Sequence, residues 1–240
     1  MQLQELLYTQ GFGTRRLCQG LIEKGHVRVG GRVCLDPFED VEPQGARFEV
    51  DGVVWPYQAR AYVMLHKPAG YECSRKPSAW PSVLTLLPAP LRQRPVRGAH
   101  DGVQPVGRLD QDTTGLLLLT DDGRFIHRMN SPRHHVPKRY VVRARHPVSD
   151  SAIERLLAGV VLDDDPAPVK ATHCERLSSH EIALTLTQGK YHQVKRMLAA
   201  VGNRVEGLHR SHVGALGLPV DLAPGQWRWI EAGELDVLNS

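Results

Sequence analysis

The order of the strand-like segments in the second part of the chain constrains the fold more than any other feature. Residues 171–177 and 181–187 both have the composition of strands, and no helix-forming segment separates them. A doubly wound fold needs a crossover helix between neighbouring parallel strands. We therefore expect an α+β fold with a mixed, mainly antiparallel sheet, in which further strands lie at 61–65, 116–120 and 138–145 and helices at 151–157 and 191–201.

A separate small domain is expected at residues 1–55. The spacing of Leu3, Leu6 and Leu7 predicts a first helix. Thr14 is a candidate N-cap for a second helix, whose apolar stripe is formed by Leu17, Cys18, Leu21 and Ile22. Short hairpins are expected around the turns at 30–31 and 51–52, and residues 56–60 then lead to a larger domain at 61–240.

The charge of the chain permits a nucleic-acid partner without demonstrating one. Its net charge is +4, with an isoelectric point near 9.0. Residues 1–55 carry 6 Lys and Arg against 8 Asp and Glu, whereas residues 56–240 carry 24 against 18. A polyanion would therefore be held mainly by the larger part of the chain.

Nothing in the sequence predicts export or membrane insertion. The longest purely aliphatic run is 116–119, and no basic segment followed by an apolar stretch begins the chain. We therefore expect a cytoplasmic protein. Its four cysteines are too scattered for a CxxC pair and are expected to be reduced, buried thiols: Cys18, Cys34, Cys73 and Cys174.

The densest motif is the segment GRLDQDTTG at 107–115, in which two glycines flank two carboxylates. A calcium loop would need a third acid and a differently placed glycine, and a glycosidase would need a second carboxylate across the scissile bond. A single catalytic carboxylate held against a cation needs only one of the two. A turn in which an aspartate caps backbone N–H groups is the structural alternative, and we favour it for Asp112 but not for Asp110.

The motif resembles the central motif of the pseudouridine synthases, and three further segments agree in order. They are KPAG at 67–70, SPRHH followed by KRY at 131–140, and GKYHQVKRM at 189–197. The sequences of the last two segments are most similar to those of the RsuA branch, which modifies small-subunit (16S) ribosomal RNA. That branch begins with an S4 RNA-binding domain, and the segment VRVGGRV at 27–33 after two helices resembles that module.

The resemblance implies catalytic roles for three residues. Asp110 is the essential carboxylate, which either attacks the sugar or removes a proton from it, and the sequence leaves both routes open. Lys195 pairs with it. The apolar stripe of this helix is formed by Val194, Met197, Leu198 and Val201. Helix geometry puts Lys195 about 110° from the centre of that stripe and Arg196 nearly opposite it. Tyr140 stacks on the flipped uracil.

A further set of residues is expected to contact RNA. Arg108 fills the gap left by the flipped base or holds a phosphate, and Arg196 faces solvent or phosphate. The remaining candidates are His192, Lys67, Arg133 and Lys138 in the larger domain and Arg15, Arg16 and Arg28 in the smaller one. Isomerisation adds and removes no atom, so we expect no cofactor, and the 12 histidines are not arranged as a zinc site.

The sequence therefore predicts an enzyme, an isomerase that converts one uridine of small-subunit ribosomal RNA to pseudouridine. The same chemistry on large-subunit (23S) ribosomal RNA and a non-catalytic, ribosomal-RNA-binding assembly factor remain alternatives. Nothing in the sequence requires more than a monomer. The segment 91–104, which is rich in Arg, Pro and Gly, is expected to be a flexible basic loop that could influence which RNA is accepted.

Overall fold

A computed structural model describes residues 1–96, 101–163 and 165–239. The chain divides into two compact units. The first comprises Met1–Tyr62 with Leu84–Gln104 and Leu119–Gly123, and the second comprises Val63–Val83 with Pro105–Leu118 and Arg124–Ser240. The chain therefore crosses from one unit to the other several times, and the first unit contains more than the expected small domain.

The beginning of the first unit consists of two helices and a four-stranded sheet. Their bounds are Leu3–Thr9 (α1), Arg15–Glu23 (α2), Val27–Val29 (β1), Arg32–Val33 (β2), Arg47–Val50 (β3) and Val53–Pro56 (β4). The strands lie in the order β2-β1-β3-β4, and the pairs are antiparallel. Both expected hairpins are confirmed by these pairings.

The helix signals of this region are mostly confirmed. The hydroxyl of Thr14 accepts a hydrogen bond from the amide of Leu17 at 3.3 Å, as an N-cap does. Cys18 and Ile22 are completely buried and belong to an apolar cluster between the helices and the sheet. Leu17, however, is 59% exposed and is not part of the buried stripe.

A buried ion pair within the first unit corrects the expectation of a flexible loop at 91–104. Residues 89–93 form helix α3 (Ala89–Gln93), and Arg94 follows with only 2% of its surface exposed. Its guanidinium donates to the Asp121 carboxylate at 2.7 Å, to the Gln10 side-chain oxygen at 2.8 Å and to the Gln58 carbonyl at 2.6 Å. The middle of the segment, 97–100, lies outside the described residues.

The close approach between α3 and the end of α1 depends on a glycine. Gly11 has a φ of +90°, and a Cβ added to it would lie 2.1 Å from the carbonyl oxygen of Pro90. No side chain fits in that space, and the positive φ is itself unfavourable for other residues. Gly11 therefore lets the backbone bring Gln10 within reach of Arg94.

The rest of the chain builds a sheet of nine strands. The sheet has a main path of β11-β12-β8-β13-β7-β5-β15, with β6 on β7 and β14 on β13. The bounds are Tyr62–Lys67 (β5), Gln104–Pro105 (β6), Thr114–Thr120 (β7), Lys138–Ala144 (β8), Val160–Leu162 (β9), Asp165–Val169 (β10), His173–Arg176 (β11), Glu181–Leu186 (β12), Val205–Val213 (β13), Leu216–Gly217 (β14) and Trp227–Trp229 (β15). Strands β9 and β10 pair separately.

Antiparallel pairing dominates this sheet, as the sequence predicted. The pairs β11–β12, β12–β8, β13–β8 and β15–β5 are antiparallel, whereas β13 and β7 are parallel. The accompanying helices are Gly123–Asn130 (α4), Asp150–Ala158 (α5), Gln193–Ala200 (α6) and Ala232–Asn239 (α7). The expected α+β fold is confirmed.

An apolar cluster joins α5 and α6 to one face of β8 and β12. Leu156, Met197 and Leu198 are completely buried there with Val142 and Leu184. The expected apolar stripe of α6 therefore faces the sheet. The helix residues that lie between the members of this stripe are at the edge of the core. Among the described residues, no helix has the length and apolar character needed to cross a membrane.

We predict that Asp121→Asn lowers the free energy of unfolding by about 3–5 kcal/mol, because it leaves the buried Arg94 guanidinium without its counter-charge. The side chains of this pair are only 3% and 4% exposed. Urea unfolding of the variant beside the wild type measures the loss. The control is Glu206→Gln, which removes an exposed ion pair with Arg204 at 3.8 Å and should change little. Equal unfolding midpoints for the two variants would contradict the prediction.

Candidate active site

The loop that precedes β7 carries the two carboxylates of the central motif. The amide of Thr113 donates to the carbonyl of Asp110 at 3.1 Å, which closes a tight turn. Strand β7 then begins at Thr114, and Gly115 pairs with Arg210 of β13. Gly115 has a φ of +109°, and a Cβ there would lie 2.3 Å from the Arg210 carbonyl oxygen. The second glycine of the motif thus allows close packing of the two strands directly behind the loop.

Lys67 anchors this loop from the interior of the protein. Its ammonium donates to the carbonyl oxygens of Thr113 at 2.8 Å, Pro68 at 3.0 Å and Gln111 at 3.2 Å. The residue is completely buried, and burial lowers its pKa from the ordinary value. The expectation that Lys67 contacts RNA is therefore wrong: all three donors of its ammonium are used inside the protein.

The ammonium of Lys195 lies between the two carboxylates, as the helix geometry of α6 suggested for one of them. Its Nζ is 3.1 Å from Asp110 Oδ2, and it is 2.7 Å and 3.0 Å from the two carboxylate oxygens of Asp112. Burial lowers the pKa of Lys195, but the two carboxylates outweigh that effect and raise the pKa above its ordinary value. Lys195 is therefore a fixed positive charge in the site.

Asp112 corrects the sequence analysis. We interpreted it as a turn residue that caps backbone N–H groups, whereas its carboxylate is an ion-pair partner of Lys195. Partial burial raises the pKa of Asp112, but the hydrogen bonds from Lys195 outweigh it, so the pKa lies below its ordinary value. The two acids share one cation, which offsets the repulsion between neighbouring carboxylates.

An open pocket of about 1290 Å³ surrounds these groups within the second unit. Its lining includes Asp110, Tyr140, Lys195, Arg108, Lys138 and His192. The Nε2 atom of His192 lies 3.5 Å from Asp110 Oδ1. The three residues expected to be catalytic, and several of those expected to contact RNA, therefore meet in one cavity large enough for a nucleotide.

Besides Lys67, two residues of the RNA-binding set expected in the larger domain lie outside the lining of this pocket. Arg133 is exposed and lies in a short 3₁₀ helix, Pro132–His134. Arg196 is half-buried, and its guanidinium donates to the carbonyl of Tyr191 at 3.1 Å. Arg196 thus braces the segment that leads into α6. Lys138 lines the pocket, and burial lowers its pKa.

Two groups of the pocket were missed by the sequence analysis. Arg210 is 2% exposed, and its Nε donates to the carbonyl of Leu116 at 2.8 Å. One of its terminal nitrogens has no hydrogen-bond partner among the described residues. Cys73, expected to be buried, is half-buried in the wall, and its sulfur accepts from the amide of Leu109 at 3.5 Å. No strand was expected at 205–213, so the sequence held no signal for a buried arginine at position 210.

The basic residues of the first unit differ in their availability to a polyanion. Arg15 forms an ion pair with Glu5 at 2.9 Å and lies over the ring of Tyr8 at 4.0 Å. Arg28 lies 3.6 Å from Glu49. Arg16 is exposed and forms no ion pair with any carboxylate in the described part of the chain. A phosphate would have to compete with carboxylates for Arg15 and Arg28 but not for Arg16.

Comparison with known proteins gives the family. A family model described as RNA pseudouridylate synthase matches residues 61–200, which is more than half of the chain. The chain belongs to the RNA pseudouridylate synthase family. A model of the S4 domain matches residues 1–44, so the N-terminal S4 domain expected from the sequence is confirmed. The order of the two matches agrees with the order of motifs along the chain.

Similar members of the RNA pseudouridylate synthase family match this chain over nearly its full length. The ribosomal small subunit pseudouridine synthase A of Escherichia coli is 43% identical over 98% of both chains. The protein of the same name from Pasteurella multocida is 36% identical over 100% of both chains. A solved crystal structure of a pseudouridylate synthase is 31% identical, covers 99% of both chains and has a TM-score of 0.68. The expected similarity to the RsuA branch is therefore confirmed.

We predict that Lys67→Met lowers catalysis more than stability. Loss of the ammonium leaves buried carbonyls without a donor, which costs about 1–3 kcal/mol. The same loss frees the loop that carries Asp110, and a displacement of about 1 Å in a reacting group can lower a rate about 100-fold. Thermal unfolding and single-turnover pseudouridine formation measure the two effects. Lys170→Met, at an exposed lysine, is the control, and full activity of the Lys67 variant would refute the role.

Proposed function

We propose that this protein binds small-subunit ribosomal RNA, flips one uridine into the pocket around Asp110 and converts it to pseudouridine. The observation that carries the proposal is the ion pair between Asp110 and Lys195 at 3.1 Å, in a pocket that also holds Tyr140 and Arg108. A carboxylate beside a fixed ammonium and an aromatic ring is suited to a nucleoside whose base must be detached, turned and rejoined.

The reaction breaks the C1′–N1 bond of the uridine and forms a C1′–C5 bond. The C5 proton is lost and N1 gains a proton, so the composition of the RNA is unchanged. Asp110 acts on the ribose, either by attack at C1′ or by removal of a proton from the sugar. In either role it must carry a negative charge, and the Lys195 ammonium stabilises that charge in a half-buried position.

Tyr140 is the surface on which the flipped uracil stacks. The side chain is half-buried and packs against the apolar cluster of α5 and α6, so its ring is held rigidly in the pocket wall. A rigid aromatic face binds a pyrimidine with little loss of side-chain entropy. Its hydroxyl is available for proton transfer during the turn of the base.

Arg108 and Lys138 supply positive charge where the RNA backbone reaches the pocket. Arg108 is exposed, follows Gly107 at the start of the motif and lies two residues before Asp110. It is suited to occupy the space vacated by the flipped base or to bind a phosphate beside it. Lys138 lines the pocket. Arg133, three residues after helix α4 ends at Asn130, lies on the surface and extends the positive track toward solvent.

The substrate class follows from relatives and from the N-terminal domain. Two relatives that match along nearly the full chain are named as small-subunit ribosomal pseudouridine synthases. Of the three contacts expected in the S4 domain, Arg16 is the one that forms no ion pair with a described carboxylate, and Arg15 and Arg28 are secondary contacts. We propose domain limits of 1–55 and 61–240, a monomer, no cofactor or metal, and a cytoplasmic location.

The proposal predicts that the wild type forms one new pseudouridine in small-subunit ribosomal RNA and that Asp110→Asn forms none. The substitution keeps a hydrogen-bond acceptor and removes the charge, so RNA binding should be nearly unchanged. Pseudouridine mapping of small-subunit and large-subunit ribosomal RNA after incubation with each protein provides the measurement. Free RNA and RNA partly assembled with ribosomal proteins are both needed as substrates.

Each other outcome has a defined meaning. A new pseudouridine in large-subunit RNA would keep the chemistry and change the substrate. Turnover by the Asp110→Asn variant would remove Asp110 from the mechanism. Binding without modification of either RNA, in any state of assembly, would favour a ribosome-assembly factor over an enzyme.

A further inference from the structure

Tyr191 is an unusually exposed aromatic residue at the rim of the pocket. Its side chain is 71% exposed, although it contributes to the lining of the cavity that contains Asp110. Scattered exposed apolar residues need no explanation, but an exposed aromatic ring at the rim of a binding pocket is suited to contact with a ligand. None of the catalytic roles described above uses this ring.

The Tyr191 ring is held in place by its neighbour. It stacks on the His192 ring with a centroid distance of 3.8 Å and an interplanar angle of 19°. His192 in turn lies 3.5 Å from Asp110. Because one face of Tyr191 is covered by His192, the exposed surface belongs to the opposite face and to the ring edge.

The backbone of this segment fixes the stack before any ligand arrives. His192 adopts a φ of +48°, which is unusual for a residue with a side chain, and it directly precedes helix α6. The Arg196 guanidinium holds the carbonyl of Tyr191 at 3.1 Å. The ring is therefore tied both to the first turn of α6 and to the residue that contacts the catalytic carboxylate.

A flat ring with one open face at the rim of this pocket suits an unstacked nucleobase. When a uridine flips out of an RNA strand, the nucleotides beside it lose a stacking partner. Single-stranded bases stack on aromatic side chains regardless of sequence. The target uracil itself is assigned to Tyr140, which lines the pocket and packs against the core, whereas Tyr191 lies at the exposed rim.

We propose that Tyr191 is a stacking platform for a nucleobase next to the target uridine. This inference rests on the proposed function and adds a second base-binding position to it. Its effect is on RNA binding and on the stability of the flipped-out complex. The hydroxyl is not needed, so phenylalanine should replace tyrosine without loss.

The test uses an RNA fragment that contains the mapped target, with 2-aminopurine placed on the 5′ or on the 3′ side of the uridine. Wild type and Tyr191→Phe should quench the fluorescence of 2-aminopurine on one side of the uridine, and Tyr191→Ala should not. Removal of one base–aromatic stack should raise the dissociation constant and KM roughly 5- to 150-fold. The rate at saturating RNA should fall much less than KM rises. Leu177→Ala, at a 47% exposed leucine outside the pocket lining, is the matched control.

The outcomes separate this inference from the proposed function. Turnover by the wild type together with equal quenching and equal KM for Tyr191→Ala and Leu177→Ala would overturn the platform alone. Loss of quenching in Tyr191→Phe as well would show that the ring face is not what binds. A wild type that forms no pseudouridine in the same RNA would overturn the proposed function and this inference with it.

Discussion

The position of one ammonium group determines what this pocket can do. Lys195 contacts both carboxylates of the central motif, Asp112 at 2.7 Å and Asp110 at 3.1 Å. Two carboxylates in one turn repel each other, and a shared cation turns this arrangement into a stable one. The closer partner, Asp112, anchors the cation, so the Asp110 carboxylate receives its field while its other oxygen faces His192 at 3.5 Å.

This arrangement depends on two elements that converge from different parts of the sequence. Helix α6 presents Lys195 at the edge of the core because Met197 and Leu198 bury the neighbouring face. The loop before β7 presents the carboxylates because the buried Lys67 holds the carbonyls of Gln111 and Thr113. The packing of Gly115 against Arg210 fixes the strand behind the loop. In the proposed mechanism these groups hold Asp110 and Lys195 in position.

The sequence predicted the fold because periodicity is a local signal, and the resemblance to the pseudouridine synthases implied the pairing of Asp110 with Lys195. It failed where a residue's role depends on burial. Lys67 was expected to contact RNA, yet its ammonium donates to three carbonyls inside the protein. Arg94 lay in a segment rich in Arg, Pro and Gly, and its partners Gln10 and Asp121 are distant in sequence. Long-range polar pairing of this kind leaves no periodic pattern.

Comparison of Lys195→Met with Lys195→Arg tests the central claim most directly. The measurement is the single-turnover rate of pseudouridine formation with RNA at saturation, which reports chemistry separately from binding. The claim predicts that Lys195→Met lowers this rate roughly 100- to 1000-fold, as loss of one preorganised charge does, and that Lys195→Arg retains most of it. A Lys195→Met variant as fast as the wild type would contradict the account, because the Asp110 carboxylate would then need no partner.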